Sequence, residues 1–183
     1  MEIINNLNER KHMNFPEPNE YAAYYSGYIK NIPPDANIIE YLENGRDALQ
    51  SLISSIPEAK GIFSYAEGKW SIKEVFGHLA DSERIFAYRA LCIARKESKS
   101  LPGFEQDDYV REANFNNRSF QSFADELLHL RNSNISLFKS FNAAELLSRG
   151  VANNKEFSVR AFLYIIAGHE IHHLKILKEK YGI

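Results

Sequence analysis

Apolar residues recur at three- and four-residue spacings in four separate stretches of the chain, and no stretch of comparable strength alternates with the two-residue period of a strand. Such a chain must bury four apolar stripes against one another, which predicts an all-α, four-helix bundle. The first helical stretch follows Pro33 and Pro34, takes Asp35 as its cap, repeats through Ile38, Tyr41, Leu42, Leu49, Leu52 and Ile53, and stops at Pro57; Gly45 sits inside it at some cost in stability. The second opens with the capping box Ser71 to Glu74, flanked by Trp70 and Val75, and is expected to run to about Ser98. The third takes Ser119 as its cap and runs through Phe120, Phe123, Leu127, Leu130, Asn134, Leu137 and Phe141. The fourth takes Ser158, with Phe157 and Phe162 as a hydrophobic staple, and ends near Tyr181 before Gly182.

Between the second and third stretches lie about twenty residues, 99–118, with several turn formers but also Phe104, Tyr109 and Phe115. Extended, that segment spans roughly 60–70 Å, more than the roughly 40 Å length of the preceding helix, so the two helices it joins can run parallel. This predicts an up-down-down-up order, with the aromatic segment folded over an opening of the bundle. At 183 residues the chain is read as a single domain, 1–183, in which about residues 1–15 form a polar N-terminal tail. A domain of this size folds without disulfide or structural metal.

Twenty-two basic and twenty-four acidic residues leave a net charge of −2 with no basic block, which argues against a nucleic-acid partner or an anionic membrane surface. Neither a signal peptide nor an apolar run long enough to span a bilayer is found, and the single cysteine, Cys92, fits a reducing compartment, so a cytoplasmic protein is expected. Cys92 itself reads as a half-buried helix residue.

The chemistry is concentrated in His169-Glu170-Ile171-His172-His173. At about 100° per residue, His169 and His173 lie roughly 40° apart, within the stripe of Phe162, Ile165, Ile166 and Ile176, while His172 falls on its margin as a weaker partner. Imidazoles turned into an apolar stripe need polar partners, and either satisfied core side chains or a shared metal ion would meet that need. His78, one turn into the second helix, is the best third ligand; His129 points away from its seam, and His12 lies in the tail. Three histidines with no fourth protein ligand leave a coordination position open for water or substrate, as in catalytic zinc sites. The same residues spell H-E-x-x-H, but Glu170 projects about 100° from His169 and only ten residues follow His173, which counts against a metalloprotease. Glu83 has an inward azimuth on the helix of His78 and is read as either a structural ion-pair partner or a support for the site, accepting a hydrogen bond from a ligand imidazole or serving as general base. Ser82 and Arg89 are also near, Arg89 being equally readable as a snorkelling surface residue.

Two stretches, Lys69-Trp70-Ser71-Ile72-Lys73-Glu74-Val75-Phe76-Gly77-His78-Leu79-Ala80-Asp81-Ser82-Glu83 and Ala167-Gly168-His169-Glu170-Ile171-His172-His173-Leu174, resemble the DinB-like superfamily of metalloenzymes, and the likeness extends from about Pro16 to Tyr181. The resemblance implies a bundle in which a histidine of the second helix and an H-x-x-x-H pair of the last bind nickel or zinc, positions held here by His78, His169 and His173. It also implies a homodimer and a small-molecule substrate. The family's chemistries include metal-dependent hydrolysis and transfer or isomerisation with a low-molecular-weight thiol. The expectation is thus a metal-dependent enzyme that activates water or such a thiol, with a non-catalytic metal-binding stress-response protein as the alternative.

Overall fold

The computed structural model describes residues 13–183, so the tail histidine His12 and most of the expected polar tail lie outside the described residues. Two single turns of 3-10 helix precede α1 (Ser26–Ile29); α2 (Ile38–Ser55), α3 (Ile72–Ala94), α4 (Gln106–Ala113), α5 (Phe120–Ser140), α6 (Ala143–Leu146) and α7 (Val159–Ile176) follow, with the hairpin β1 (Arg149–Ala152) and β2 (Lys155–Ser158) inserted before α7. The four long helices α2, α3, α5 and α7 are the bundle.

Cross-helix pairs give their directions. Glu43 pairs with Lys139, Arg46 with Asn132 and Gln50 with Ala124, so α2 and α5 are antiparallel. Phe76 meets Phe120, Arg84 meets Glu126 and Arg95 meets Phe141, so α3 runs parallel to α5. Phe86 stacks near Phe162 and His78 meets His169, which makes α7 antiparallel to α3. The order is up-down-down-up, and the long 99–118 segment is what allows α3 and α5 to share a direction.

Local signals explain most helix boundaries. Ser71 and Glu74 close a complete capping box, Ser119 and Ser158 each accept a backbone N–H three residues on, and Phe157 stacks on Phe162 with centroids 5.0 Å apart. Three boundaries or elements differ from expectation. The cap of α2 is Asn37, whose Oδ1 accepts from the N–H of Ile39 and Glu40, rather than Asp35. The end of α3 comes at Ala94, not Ser98, because Lys96 turns left-handed at φ 66° and the N–H of Glu97 returns to the carbonyl of Cys92, a Schellman closure. The hairpin is an addition to the all-α reading: Asn153 and Asn154, at φ 48° and 57°, make the left-handed pair that a two-residue hairpin turn requires.

The 99–118 segment is structured. Leu101 bridges to Ala152 beside the hairpin, and Phe115 packs over Gly77 of α3, where any Cβ would lie 2.4 Å from the ring. Phe115 joins Phe123 in the core rather than closing over the histidines, contrary to the expected cover.

The interior holds two hydrophobic clusters. One gathers Leu42, Phe86, Phe138 and Phe162, and the other Leu49, Phe76, Phe123 and Leu177. The buried polar side chains Glu83, Arg131, Asn134 and Glu170, together with the three histidines, come from the stretches of helix between these clusters. The candidate site is therefore a polar layer at mid-height of the bundle.

Candidate metal centre

His78 is projected from the second turn of α3, a helix whose start is fixed by its capping box, and His169 and His173 project from successive turns of α7. All three are buried, at 3%, 6% and 9% exposure. His78 Nε2 lies 3.0 Å from His169 Nε2, and His173 Nε2 lies 3.1 Å from the same atom. Among the described residues this is the one group of histidine, cysteine or acidic side chains with its donor atoms gathered within 4.8 Å. His172, half-buried, turns instead against Tyr28 with centroids 5.0 Å apart, and His129 is exposed.

These spacings can be compared with what a shared cation requires. At metal–nitrogen distances of about 2.0–2.1 Å, two ligand nitrogens sit roughly 2.9 Å apart at a right angle and roughly 3.3 Å apart at the tetrahedral angle, and the observed separations fall between. Hydrogen bonding alone serves the cluster less well. The single Nε2 of His169 carries either one proton or one lone pair, so it cannot form two well-directed bonds to two neighbouring ring nitrogens. Burial also pulls the His78 imidazole down to about 4 and that of His173 to about 3, and pushes His169 well below its ordinary value with help from His173, His78 and His172. Neutral rings with their donor nitrogens gathered within 4.8 Å are the state a divalent cation binds.

Aromatic rings wall the cluster. The indole of Trp70 packs on His78 at 4.6 Å and stacks over His173 at 6.3 Å, and Phe86 and Tyr28 meet His169 edge-on at 5.8 and 5.4 Å. Tyr28 reaches this position because α1 presses against α7 at Gly168, where a Cβ would fall 2.1 Å from the Tyr28 carbonyl oxygen. Ser82 Oγ, one turn beyond His78, lies 3.4 Å from its Nδ1.

Glu83 does face inward, but its hydrogen bonds go to an arginine and an amide, not to an imidazole. Arg131 Nε and Nη2 donate to its two oxygens at 2.8 and 2.9 Å, and Asn134 Nδ2 donates at 3.1 Å. The same guanidinium donates to Glu170 Oε2 at 2.7 Å and to the Leu42 carbonyl at 3.1 Å. Burial alone would lower the Arg131 pKa; Glu170 and Glu83 more than reverse this and hold it above the usual range. For Glu170 burial dominates, aided by Glu83 and opposed by Arg131, and the carboxyl is held above its ordinary value. Glu170 is thus the partner of a buried arginine across the bundle, which removes it from the general-base role of an H-E-x-x-H protease. Gly45 makes room for it: a Cβ there would sit 2.5 Å from Glu170 Oε1.

Arg89 is buried rather than snorkelling; its Nη2 donates to the Pro102 carbonyl at 2.7 Å, and its guanidinium lies 5.8 Å from the Phe104 ring. Sequence reasoning passed over Arg131 entirely, although a lone arginine between Leu127 and Asn134 on an apolar seam was the available signal.

Known proteins share this architecture. The structure of YfiT from Bacillus subtilis, described as a probable metal-dependent hydrolase with an unusual four-helix bundle topology, matches with a TM-score of 0.71 over 93% of this chain and 98% of its own, at 14% identity. A mycothiol-dependent maleylpyruvate isomerase matches with a TM-score of 0.63 over 80% of this chain and 61% of its own, at 10% identity. A protein of Oceanobacillus iheyensis, named provisionally as a metal-dependent hydrolase, is 25% identical over 141 residues, 76% of this chain and 81% of its own length. The family model of the DinB superfamily matches residues 41–177, and the chain belongs to that superfamily.

Proposed function

We propose that His78, His169 and His173 hold one divalent metal ion, nickel or zinc, and that the protein is a metal-dependent enzyme in which water or a low-molecular-weight thiol attacks a small electrophilic substrate. The observation that carries this reading is the convergence of three buried, neutral ring nitrogens at 3.0 and 3.1 Å around His169 Nε2. A metal ion bound there would act as Lewis acid and make a hydroxide or thiolate available near neutral pH.

The protein's own residues set the conditions for that chemistry. Trp70, Phe86 and Tyr28 exclude water from three sides of the imidazoles and thereby strengthen every electrostatic interaction inside. The half-buried rings of Tyr28 and His172 form the rim through which a small molecule would approach. Glu83 acts through Arg131, fixing with Glu170 the mutual placement of α3, α5 and α7 and hence of the histidines. Cys92 lies fourteen residues along α3 from His78, about 21 Å of helix rise, so a thiol nucleophile would come from a cosubstrate. The hydrolase names of YfiT and the Oceanobacillus protein favour water, and the isomerase neighbour favours a thiol. The family resemblance further suggests a homodimer working in the cytoplasm; among the described residues no helix is long and apolar enough to cross a membrane.

The test is elemental analysis of protein purified without added metal, joined to a screen of activated esters, amides and electrophilic alkenes with and without thiol cosubstrates. Activity that disappears with a chelator and returns with one metal equivalent supports the enzyme. Stoichiometric metal with no turnover on any substrate supports the alternative, a metal-binding protein without catalysis.

A further inference from the structure

On α3 the side chains of His78, Ser82, Ile85 and Arg89 follow the spacing i, i+4, i+7 and i+11, which places all four within about 60° of azimuth on one face. His78 belongs to the histidine cluster and Ser82 touches it; at the far end of the row stands a guanidinium only 3% exposed. Among the described residues no carboxylate pairs with Arg89. Its polar neighbours are the Pro102 carbonyl and Tyr25, and its flat face looks onto Phe104. Arg131, equally buried, has two carboxylates. The contrast shows in their acidities: burial draws Arg89 below the ordinary arginine range with only tyrosine oxygens opposing it, whereas Arg131 is held above. A buried cation with no anion among the described residues is costly, and a fold that keeps one has a use for its charge.

We infer that Arg89 is the anchor of a carboxylate-binding subsite for the small molecule that reacts at the histidine cluster. That the other end of the molecule reacts there rests on the metal-centre reading; the anion subsite itself does not. A planar fork with one positive charge matches a single carboxylate, while a phosphate with close to two negative charges would exceed the one cation available. Aromatic rings connect the two ends, since Tyr25 meets Phe86 at 5.9 Å, Tyr25 meets Tyr28 at 6.1 Å, and Tyr28 and Phe86 both meet His169. The helix rises about 16 Å from His78 to Arg89, so the bound molecule spans on the order of 15 Å. The substrate class is accordingly an elongated, largely apolar monocarboxylate with its electrophilic or thiol end distal to the acid.

The experiment titrates benzoate, as a carboxylate probe, and benzamide, its uncharged isostere, into full-length protein by calorimetry, with metal content measured on each sample. The unaltered protein is expected to bind benzoate saturably and benzamide at least about tenfold more weakly, because only the acid makes charge-assisted bonds. Arg89→Gln is expected to weaken benzoate by about tenfold or more, while His129→Ala, which removes an exposed ring outside the cluster, leaves it within about twofold. Benzamide binding as well as benzoate would overturn the subsite without any reliance on a variant that might misfold. Benzoate binding that survives Arg89→Gln but is lost in His169→Ala would place the carboxylate on the imidazole cluster and overturn it too. Arg89-dependent benzoate binding in protein that takes up no metal would uphold the subsite while refuting the metal centre.

Discussion

Replacing Arg131 by methionine removes the one cation that two buried carboxylates share. In the native protein its guanidinium makes two bonds to Glu83, one to Glu170 and one to the Leu42 carbonyl, and every charged member of the group is buried. Methionine fills much of the same volume with an apolar chain, so little cavity forms and the electrostatic loss dominates. Breaking a buried ion pair by removing one partner costs about 3–5 kcal/mol. At about 2–4 °C per kcal/mol for a chain of this size, the melting temperature should fall by roughly 6–20 °C. The pH dependence adds a second signature. Without Arg131 the buried Glu170 carboxyl, already raised by burial and restrained only by that arginine, rises further above the unfolded value. The folded variant then binds more protons than its unfolded chain, and its stability increases as pH is lowered from 7 toward 5. Thermal melts of both proteins between pH 5 and 7 measure this. A melting temperature within about 2 °C of the native value, or a variant that loses stability faster than the native protein on acidification, would refute the assignment of Arg131 as the charge that holds α3, α5 and α7 together.

Gly45→Ala, which in an ordinary helix interior stabilises by about 0.5–1 kcal/mol, should instead lower the urea midpoint, because its Cβ meets Glu170 Oε1 at 2.5 Å while that carboxylate is held by Arg131; a raised midpoint would contradict the packing. In metal-free protein, His78 and His173 titrate near 4 and 3 while the unfolded chain titrates near 6.5, so the unfolded state binds more protons across that window and stability should rise with pH from about 4 to 6.5. Urea titrations in the presence of chelator at several pH values check this, and a flat profile would count against burial of the two rings.

Much of the bundle was legible because its signals are local. Ser71 with Glu74, Ser119, Ser158 and the Phe157–Phe162 pair act within one turn, and the i, i+4 spacing of His169 and His173 fixes a shared face whatever the rest of the chain does. The length of the 99–118 segment left room for α5 to run parallel to α3 without requiring it. What escaped depends on partners far away in sequence. Glu170, at about 100° from His169, points across the bundle to Arg131 on α5, a pairing that azimuth on one helix cannot reveal. Glu83 was correctly turned inward, but whether it served an imidazole or an arginine was decided by which side chain of α5 came opposite. The hairpin strands have four residues each, too few to display alternation, and Lys96 ends α3 in a left-handed conformation that carries no glycine to announce it.

The central claim, that one divalent ion sits among three histidines, is tested most directly by the metal stoichiometry of the full-length protein and its single alanine variants, measured by elemental analysis after equilibration with limiting nickel or zinc. The account predicts about one ion per chain in the unaltered protein and in His172→Ala, whose ring faces Tyr28, and severe loss in His78→Ala, His169→Ala and His173→Ala. Stoichiometric metal retained by folded His169→Ala, the residue whose Nε2 is shared by both short contacts, would contradict it.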